Sequence, residues 1–361
     1  MSKWFGWIIL FAAVIFLVYS IVQDLNRGKD RADISVMDNK FKAVKFPSAK
    51  ELVDPSGFIN TDKITIKDLI GKKVILVDFW TFSCINCQRT IPYLNAWYEK
   101  YKDKGLEIVG IHTPEFEFEK ELKNVQNAVS YYKIKYPVVL DNDFATWNAY
   151  ANRYWPRKYL IDIDGFIVYD HAGEGAYIET EKKIQNLLDE RAQTLGINMD
   201  MDDSLAKPEG AEDVDFSKQR SPEIYFGSER NSYLGNGVSG QSGVQRLKEP
   251  VGVKTNVLYL VGDWDFNEEF AEAKSKNSKI IFRYQAQKVF MVASAEKGVK
   301  AKVLVDSEPV GSKAGSDVKE GFVTFNEDRL YRLVEDDNWG EHTLEIIFEE
   351  PGAKVFTFTF G

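Results

Sequence analysis

Two cysteines stand three positions apart, as Cys84 and Cys87, and they are the only cysteines in the 361 residues. Before them, Val74–Trp80 is an apolar run of β-branched and aromatic residues, which predicts a strand buried on both faces. After them, apolar residues recur at helical spacing, and Gly105 stands where a left-handed helix cap is expected. The sequence therefore predicts a C-x-x-C motif in the first turn of a helix that follows a buried strand.

This placement has a chemical consequence for the two thiols. The first four N–H groups of a helix are unpaired and its N-terminal end carries partial positive charge, so a thiolate is stabilised there. We therefore expect Cys84 to be the exposed nucleophile. Cys87 follows one turn later, where it can attack the mixed disulfide that Cys84 has formed and release the partner.

Two other uses of a C-x-x-C motif fit the sequence less well. A zinc site needs three or four ligands, and the three histidines, His112, His171 and His342, are scattered singly along the chain. A structural disulfide across one helical turn would close a very short loop and stabilise little. The pattern favours a redox pair, with no metal and no cofactor other than a reversible disulfide between Cys84 and Cys87.

The segment L-V-D-F-W-T-F-S-C-I-N-C resembles the active-site strand and helix of thioredoxins, where a proline follows the second cysteine by five residues, as Pro92 does here. With H-T-P-E-F at 112–116 and Y-W-P-R-K-Y-L-I-D-I-D-G at 154–165, the chain resembles the DipZ-type branch of the TlpA-like thioredoxin family. The resemblance extends through residues 222–227 to residues 358–361. DipZ-type proteins carry a multi-spanning, CcdA-like electron-transfer domain ahead of this region, and we do not expect that domain in this chain.

Two acidic residues gain a functional interpretation. Asp78 interrupts the apolar strand, and burying a lone carboxylate is costly, so a role is expected unless its side chain reaches solvent at a strand end. The resemblance implies that Asp78 is the buried acid that takes the proton from the second cysteine. It also implies that Glu115 is an active-site glutamate, and the alternative is an ordinary loop glutamate.

The resemblance also identifies Pro156 as the cis-proline of the thioredoxin fold. X-Pro is the linkage for which the cis form is least unfavourable, and proline has no N–H to compete with a docked partner strand. The substrate contacts that the resemblance implies come from Trp80, Trp155, Ile85 and Asn86. Trp155 replaces the small or β-branched residue usual in thioredoxins, and Ile85 and Asn86 replace Gly-Pro, which leaves the substrate range and the reduction potential open.

The order of predicted elements divides the chain into domains. Over residues 61–197, strands alternate with helices and end in a hairpin at Asp164-Gly165 and a last helix, which is the order of an α/β thioredoxin fold. Over residues 222–361, short alternating runs separated by turns predict an all-β, jelly-roll-like sandwich. Residues 198–221 are rich in Asp, Glu, Ser, Pro and Gly, which predicts a solvated linker.

Residues 4–22 are apolar almost throughout and, at about 1.5 Å per residue, just span a hydrocarbon core of about 30 Å. We expect residues 1–23 to be a transmembrane anchor and residues 24–60 a tether. A cleaved signal peptide is the alternative, although no A-x-A cleavage site is present. The flanking charges do not fix the orientation, and the resemblance to extracytoplasmic relatives places the body of the protein outside the cytoplasm.

The composition bears on the partners. A net charge of -9, with no cluster of Lys or Arg, argues against nucleic acid. The C-terminal region is similar to the carbohydrate-binding-module-like sandwich of DipZ-type proteins. Trp264, Trp339 and Tyr233 either form a sugar-stacking platform there or are core and rim aromatics.

These patterns together predict a membrane-anchored, extracytoplasmic thiol-disulfide oxidoreductase. We expect it to keep protein or haem-attachment thiols reduced, as in cytochrome c biogenesis, with electrons from a separate CcdA-like membrane protein. Two alternatives stay open. One is an oxidase that introduces disulfides, and the other is an envelope glycan-binding protein with a secondary redox domain.

Overall fold

The computed structural model describes residues 41–212 and 214–361. The predicted membrane anchor at residues 1–23 and the first part of the predicted tether, residues 24–40, lie outside the described residues. Within the described ranges, no helix is both long enough and apolar enough to cross a membrane.

The first domain is built on a six-stranded sheet with the strand order β1-β4-β3-β2-β5-β6. Its strands are β1 Gly57–Ile59, β2 Val74–Trp80, β3 Leu106–His112, β4 Val138–Leu140, β5 Arg157–Ile161 and β6 Ile167–Ala172. Strands β2, β3 and β4 are parallel, whereas β1, β5 and β6 are antiparallel to their neighbours. The thioredoxin-like order that the sequence predicted is confirmed.

Helices cover both faces of this sheet. They are α1 Ile66–Leu69, α2 Ile85–Tyr101, α3 Leu122–Tyr131, α4 Ala145–Ala149 and α5 Tyr177–Leu195, with short 3-10 turns at Lys102–Lys104 and Glu117–Lys120. All seven residues of the central strand β2 are buried, because its alternate side chains enter two different apolar cores, one shared with α2 and α5 and the other with α1 and α4. A side chain anywhere on β2 therefore has no path to solvent.

The first domain begins earlier than predicted, so the prediction of a tether over residues 24–60 is wrong for its last part. Residues 57–59 form the edge strand β1, which pairs with β4. Leu52 is buried in the core beside α1 and α4, and Ser48 forms an isolated β-bridge with Phe166. The segment has too few apolar residues for periodicity to reveal it, because it completes the domain through backbone pairing.

The second domain is entirely β-structure apart from one 3-10 turn at Gly311–Lys313. Its strands are β7 Ile224–Tyr225, β8 Gly243–Leu247, β9 Leu258–Phe266, β10 Ala271–Ala273, β11 Lys279–Ser294, β12 Val299–Val305, β13 Glu308–Pro309, β14 Val318–Lys319, β15 Phe322–Phe325, β16 Arg329–Phe348 and β17 Lys354–Phe360. These eleven strands share one hydrogen-bonded sheet. The all-β character of this region is confirmed, and its description as a jelly-roll-like sandwich stays a prediction.

Two strands are much longer than the sequence indicated. Strand β11 has 16 residues and combines two predicted strands, as does β16 with 20 residues. The pairing of β11 with β16 shifts register between Ala286 and Lys288 and again between Val289 and Phe290. Each shift interrupts the alternation of apolar and polar residues, so a continuous strand has the pattern of two short ones.

Trp264 cannot belong to a sugar-stacking platform, one of the two alternatives for the aromatic residues of this domain. Trp264 is fully buried, its indole N–H donates to the Val261 carbonyl at 2.9 Å, and its ring packs edge-on against Phe348. A side chain in the core cannot stack on a glycan, so the core alternative is confirmed for Trp264. Trp339 and Tyr233 are exposed, and both alternatives stay open for them.

A small apolar cluster joins the two domains, and we call it the interdomain cluster. Its buried members are Ile85 and Phe116 of the first domain with Phe290, Val292, Leu330 and Phe356 of the second. The prediction of a solvated linker is also wrong in part, because Met199, Met201 and Ala206 pack on the first domain. Single methionines in a polar stretch do not produce a periodic pattern, so the sequence did not reveal this packing.

The interdomain cluster predicts that the domains stabilise each other. Phe356 lies at its centre, with ring centroids 5.0 Å from both Phe116 and Phe118. We expect Phe356→Ala to lower the free energy of unfolding by about 3–5 kcal/mol, the cost of deleting a buried aromatic ring. Denaturant titration measures this. Phe41→Ala, which removes an exposed ring, is the matched control and is expected to change stability little, and an equal effect of both variants would contradict the role of the cluster.

Candidate active site

The two cysteines lie where the sequence predicted, with different exposures. Cys84 is the N-cap residue of α2, in an extended conformation with φ -77° and ψ 117°, and it is partly exposed. Cys87 lies within the first turn of α2 and is buried, and both thiols are free. Strand β2 and the T-F-S loop that follows it fix the position of the two cysteines. The strand is packed in two apolar cores, and α2 begins directly after the loop.

The loop before β5 forms one side of the site. The peptide bond between Trp155 and Pro156 is cis, as expected, and the Cys84 Sγ lies 3.9 Å from the Trp155 carbonyl oxygen. The Trp155 indole N–H donates to the Thr113 carbonyl at 3.0 Å and its ring lies against Trp147 with centroids 4.3 Å apart. Trp155 is therefore held by two contacts beside the exposed thiol.

Three of the four residues predicted to contact substrate border the pocket at Cys84, and the fourth does not. Ile85, Asn86 and Trp155 border the pocket that contains Cys84. Trp80 is fully buried beneath it, edge-on to His112, which leaves no surface for a substrate. The prediction of substrate contact by Trp80 is therefore wrong.

Asp78 is buried, so the alternative of a carboxylate that reaches solvent is wrong. Its Oδ1 has no hydrogen-bond partner in the part of the chain that the structure describes. Burial raises the pKa of Asp78 to about 7, against the opposing effect of the Lys158 charge. Lys158 faces Asp78 across the β2–β5 pairing and is itself fully buried, which lowers the pKa of its ammonium group.

The same environment acts on the buried thiol. The pKa of Cys87 is raised well above its usual range, first by burial, then by its hydrogen bond with Cys84 and by the Cys84 and Asp78 charges. Sequence reasoning missed Lys158, although a lysine inside an otherwise apolar strand is a signal of the same kind as Asp78. Asp78 and Lys158 are thus two buried ionisable groups whose charges act on each other and on the Cys87 thiol.

Two glutamates lie near the motif, and only one was predicted. Glu115 borders the pocket and accepts hydrogen bonds from Arg230 at 2.8 Å and from the Tyr225 hydroxyl at 2.9 Å. Glu119 is fully buried and accepts from the Ser83 hydroxyl at 2.6 Å, and burial raises its pKa. Glu119 therefore fixes the loop that carries the cysteines. The E-F-E-F-E stretch gives no signal that would single it out.

The pocket at Cys84 is about 450 Å³ in volume and lies between the two domains. The first domain lines it with Cys84, Ile85, Asn86, Glu115, Arg153, Tyr154 and Trp155, and the rest of its wall is Arg220, Ser221, Glu223, Tyr225, Arg230, Thr359 and Phe360. Half of the site thus comes from residues beyond 219, which sequence reasoning did not connect with the dithiol.

An ionic network around Glu212 connects the two domains. Glu212 accepts from Arg332 at 2.8 Å and from Lys288 at 3.0 Å in the second domain, and from Arg89 of α2 at 3.4 Å. Burial opposes the ionisation of Glu212, but the bonds and charges of Arg332 and Lys288 outweigh it, so its pKa falls to about 2. A linker carboxylate therefore ties the active-site helix to the β-domain.

One group of carboxylates in the described residues is close enough together to hold a metal ion, namely Asp162, Asp164 and Glu190. The Lys42 ammonium lies among them, 2.9 Å from Asp162 and 2.7 Å from Asp164. The lysine supplies the positive charge that a cation would bring, and the group lies on residues that do not border the pocket.

The comparisons with known proteins identify the family of the chain. Residues 43–170 match the AhpC/TSA family, and residues 221–361 match the family described as thioredoxin like C-terminal domain. The chain is 30% identical over 140 residues to the thiol-disulfide oxidoreductase YkuV of Bacillus subtilis, 39% of this chain and 93% of that protein. It is 37% identical over 134 residues to the thiol-disulfide oxidoreductase ResA of Bacillus cereus, 36% of this chain and 74% of that protein.

The chain therefore belongs to the thioredoxin-like family of thiol-disulfide oxidoreductases. It is also 33% identical over 317 residues, 87% of its length, to protein DipZ of Mycobacterium tuberculosis. That similarity includes the C-terminal domain, so the two-domain arrangement is shared with DipZ. The chain spans 43% of the length of DipZ.

Proposed function

We propose that this protein is a membrane-anchored, extracytoplasmic reductase of protein disulfides, in which Cys84 attacks and Cys87 resolves. The observation that carries the proposal is the asymmetry of the dithiol. Cys84 is the N-cap residue of α2 and borders the pocket, whereas Cys87 is buried and its thiol is affected by the charge of Asp78, which pairs with Lys158. A structural dithiol needs neither the pocket nor the buried acid.

The exchange proceeds in two steps with the electrons balanced. The Cys84 thiolate attacks one sulfur of a substrate disulfide, the substrate S–S bond breaks, and the departing thiolate takes up a proton. Cys87 then loses its proton and attacks the Cys84 sulfur, which breaks the mixed disulfide and releases the second substrate thiol. The substrate gains two electrons and two protons, and the enzyme is left with a disulfide between Cys84 and Cys87.

Asp78 is suited to the second step. The raised pKa of Cys87 means that the buried thiol does not ionise by itself at neutral pH. A carboxyl group with a pKa of about 7 accepts a proton near neutral pH with little driving force lost. Lys158 balances the negative charge while the proton moves.

The environment of the buried cysteine, Cys87, also bears on whether the protein reduces or oxidises its substrates. Dithiols become strong oxidants when their reduced form is stabilised, and a stabilised thiolate is one way to achieve this. The environment of Cys87 disfavours its thiolate, so Cys87 adds no such stabilisation. This is compatible with a role as a donor of electrons to protein disulfides, including those of cytochrome c biogenesis, and redox trapping separates that role from the alternative of an oxidase.

The electron donor follows from the proposed location. If residues 4–22 anchor the protein and the dithiol lies outside the cytoplasm, cytoplasmic reductants cannot reach it. We propose that a CcdA-like membrane protein with its own redox thiols recharges the pair by thiol-disulfide exchange. The glycan-binding alternative loses its main support with the burial of Trp264.

Redox trapping in cells tests this direction. Thiols are quenched with acid, alkylated with a mass tag, and compared between a strain with a CcdA-like protein and a strain without it. We expect Cys84 and Cys87 to be mostly dithiol in the first strain and mostly disulfide in the second. A pair that stays oxidised in both strains would show that the protein works as an oxidase.

A further inference from the structure

The wall of the pocket beside Cys84 carries an excess of positive charge. Three arginines, Arg153, Arg220 and Arg230, line it together with two carboxylates, Glu115 and Glu223. Arg153 follows α4 in the first domain, whereas Arg220 and Arg230 lie next to the β-domain. Cations from both domains therefore line the pocket that contains the reactive sulfur.

The two carboxylates are already engaged. Glu115 pairs with Arg230 at 2.8 Å, and the Tyr225 hydroxyl lies 2.9 Å from both Glu115 and Glu223. The Arg230 guanidinium also lies over the Tyr225 ring, 3.8 Å from its centroid. Glu115, Tyr225 and Arg230 therefore hold one another in place and form a fixed surface of the pocket.

The other two arginines are less engaged. Among the described residues, the polar contacts of Arg220 are long, 4.0 Å to Glu174 and 3.4 Å to the Phe360 carbonyl oxygen, and its guanidinium lies over the Phe216 ring. Glu174 also pairs with Arg89. Arg153 is exposed, and no carboxylate among the described residues pairs with its guanidinium. A carboxylate entering the pocket would meet these two planar donor groups, which bind carboxylates with two parallel hydrogen bonds.

The size of the pocket limits what enters. About 450 Å³ is in the range of sites for small ligands, roughly 300–1,000 Å³. A small disulfide or a short extended peptide segment fits this volume, whereas the folded surface of a protein does not. The β-domain thus restricts access to the exposed cysteine.

We propose that this pocket selects disulfides that carry a carboxylate close to the reacting sulfur, with Arg153 and Arg220 as the residues that recognise it. The inference rests on the proposed function, since it names the substrates of the same dithiol. Two kinds of substrate carry a carboxylate close to the sulfur. One is a small anionic thiol such as glutathione, and the other is a polypeptide with an acidic residue beside a cysteine.

The test compares rates of reduction, as kcat/KM, for three small disulfides of different charge. Glutathione disulfide is anionic, hydroxyethyl disulfide is neutral and cystamine is cationic. We expect the wild-type protein to prefer the anionic over the cationic disulfide by about tenfold or more, a preference that salt weakens because the interaction is electrostatic. Arg153→Glu is expected to remove or reverse the preference, and Arg153→Gln to weaken it.

Arg246→Gln is the control, because Arg246 is an exposed arginine of the β-domain that does not border the pocket, and it should keep the wild-type ratio.

Disulfide-linked peptides with Asp or Asn beside the cysteine separate the two kinds of substrate. A preference for the Asp peptide alone identifies a polypeptide, and a preference for glutathione disulfide as well identifies small thiols. Equal rates for all charges, with exchange intact, would overturn the substrate inference. If the wild-type protein exchanges with none of these disulfides, the proposed function is overturned instead.

Discussion

Replacing Cys84 with serine is expected to lower disulfide reduction by on the order of 10³-fold or more, as for loss of an enzyme nucleophile. Replacing Cys87 with serine is expected to leave the first attack intact and to stop the reaction at the mixed disulfide. The difference follows from exposure, because Cys84 borders the pocket whereas Cys87 is buried. A substrate sulfur can meet only the first of the two thiols.

Mass spectrometry of the two variants after incubation with a substrate disulfide measures this outcome. Cys87→Ser should accumulate an adduct on Cys84 that dithiothreitol removes, and Cys84→Ser should accumulate none. The double variant is the control for non-specific labelling. A stable adduct on Cys87 in the Cys84→Ser protein would contradict the assignment of the attacking residue.

Replacing Asp78 with asparagine is expected to slow the release of the mixed disulfide by about a hundredfold, the usual contribution of a general base. The first attack by Cys84 should change little. In the wild-type protein, release should accelerate as the pH rises through about 7, because Asp78 must be ionised to accept the proton from Cys87. The variant should lose this acceleration. Stopped-flow exchange from pH 5 to 9 separates the two steps, and unchanged release kinetics would rule out the role.

Asp78 should also make the free energy of unfolding depend on pH, and the direction of this dependence follows from the pKa of Asp78. Its pKa is about 7 in the folded protein and about 3.9 in an unfolded chain. The folded state therefore holds a proton that the unfolded state releases, so the free energy of unfolding falls between about pH 4 and pH 7 and stays lower above it. Asp78→Asn should reduce that fall by on the order of a few kcal/mol.

Lys158 complicates the single variant, because Asp78→Asn leaves a buried lysine without its carboxylate. The double variant with Lys158→Met removes both charges and is the matched comparison. Denaturant titration at pH 5 and pH 8 measures all three proteins. If both variants keep the full pH dependence of the wild type, Asp78 does not titrate near 7.

The parts of the site that the sequence predicted are local in the chain. A continuous apolar run, a C-x-x-C motif and a helical period lie within about thirty residues of one another, so their arrangement follows from secondary structure alone. For the same reason the bounds of β2, Val74–Trp80, were predicted correctly. Pro156 was predicted from its local W-P-R-K pattern and from resemblance.

The parts that the sequence did not predict depend on contacts between distant segments. Lys158 lies opposite Asp78 only because β5 pairs with β2, and Arg230 reaches Glu115 only because the β-domain docks on the first domain. The sequence around Trp264 is the same whether its side chain is buried or exposed, and only the packing of the strands decides which of the two occurs. The linker residue Glu212 has no pattern that would mark it as the centre of an ionic network.

Alkylation of the fully reduced protein tests the central claim most directly. The protein is treated with iodoacetamide at pH 6, where an ordinary thiol reacts slowly, and the labelled cysteine is mapped by mass spectrometry over time. The account predicts that Cys84 is modified at least about tenfold faster than Cys87, because only Cys84 is accessible and located at a helix N-terminus. Preferential modification of Cys87 would contradict the assignment of Cys84 as the nucleophile and, with it, the proposed mechanism.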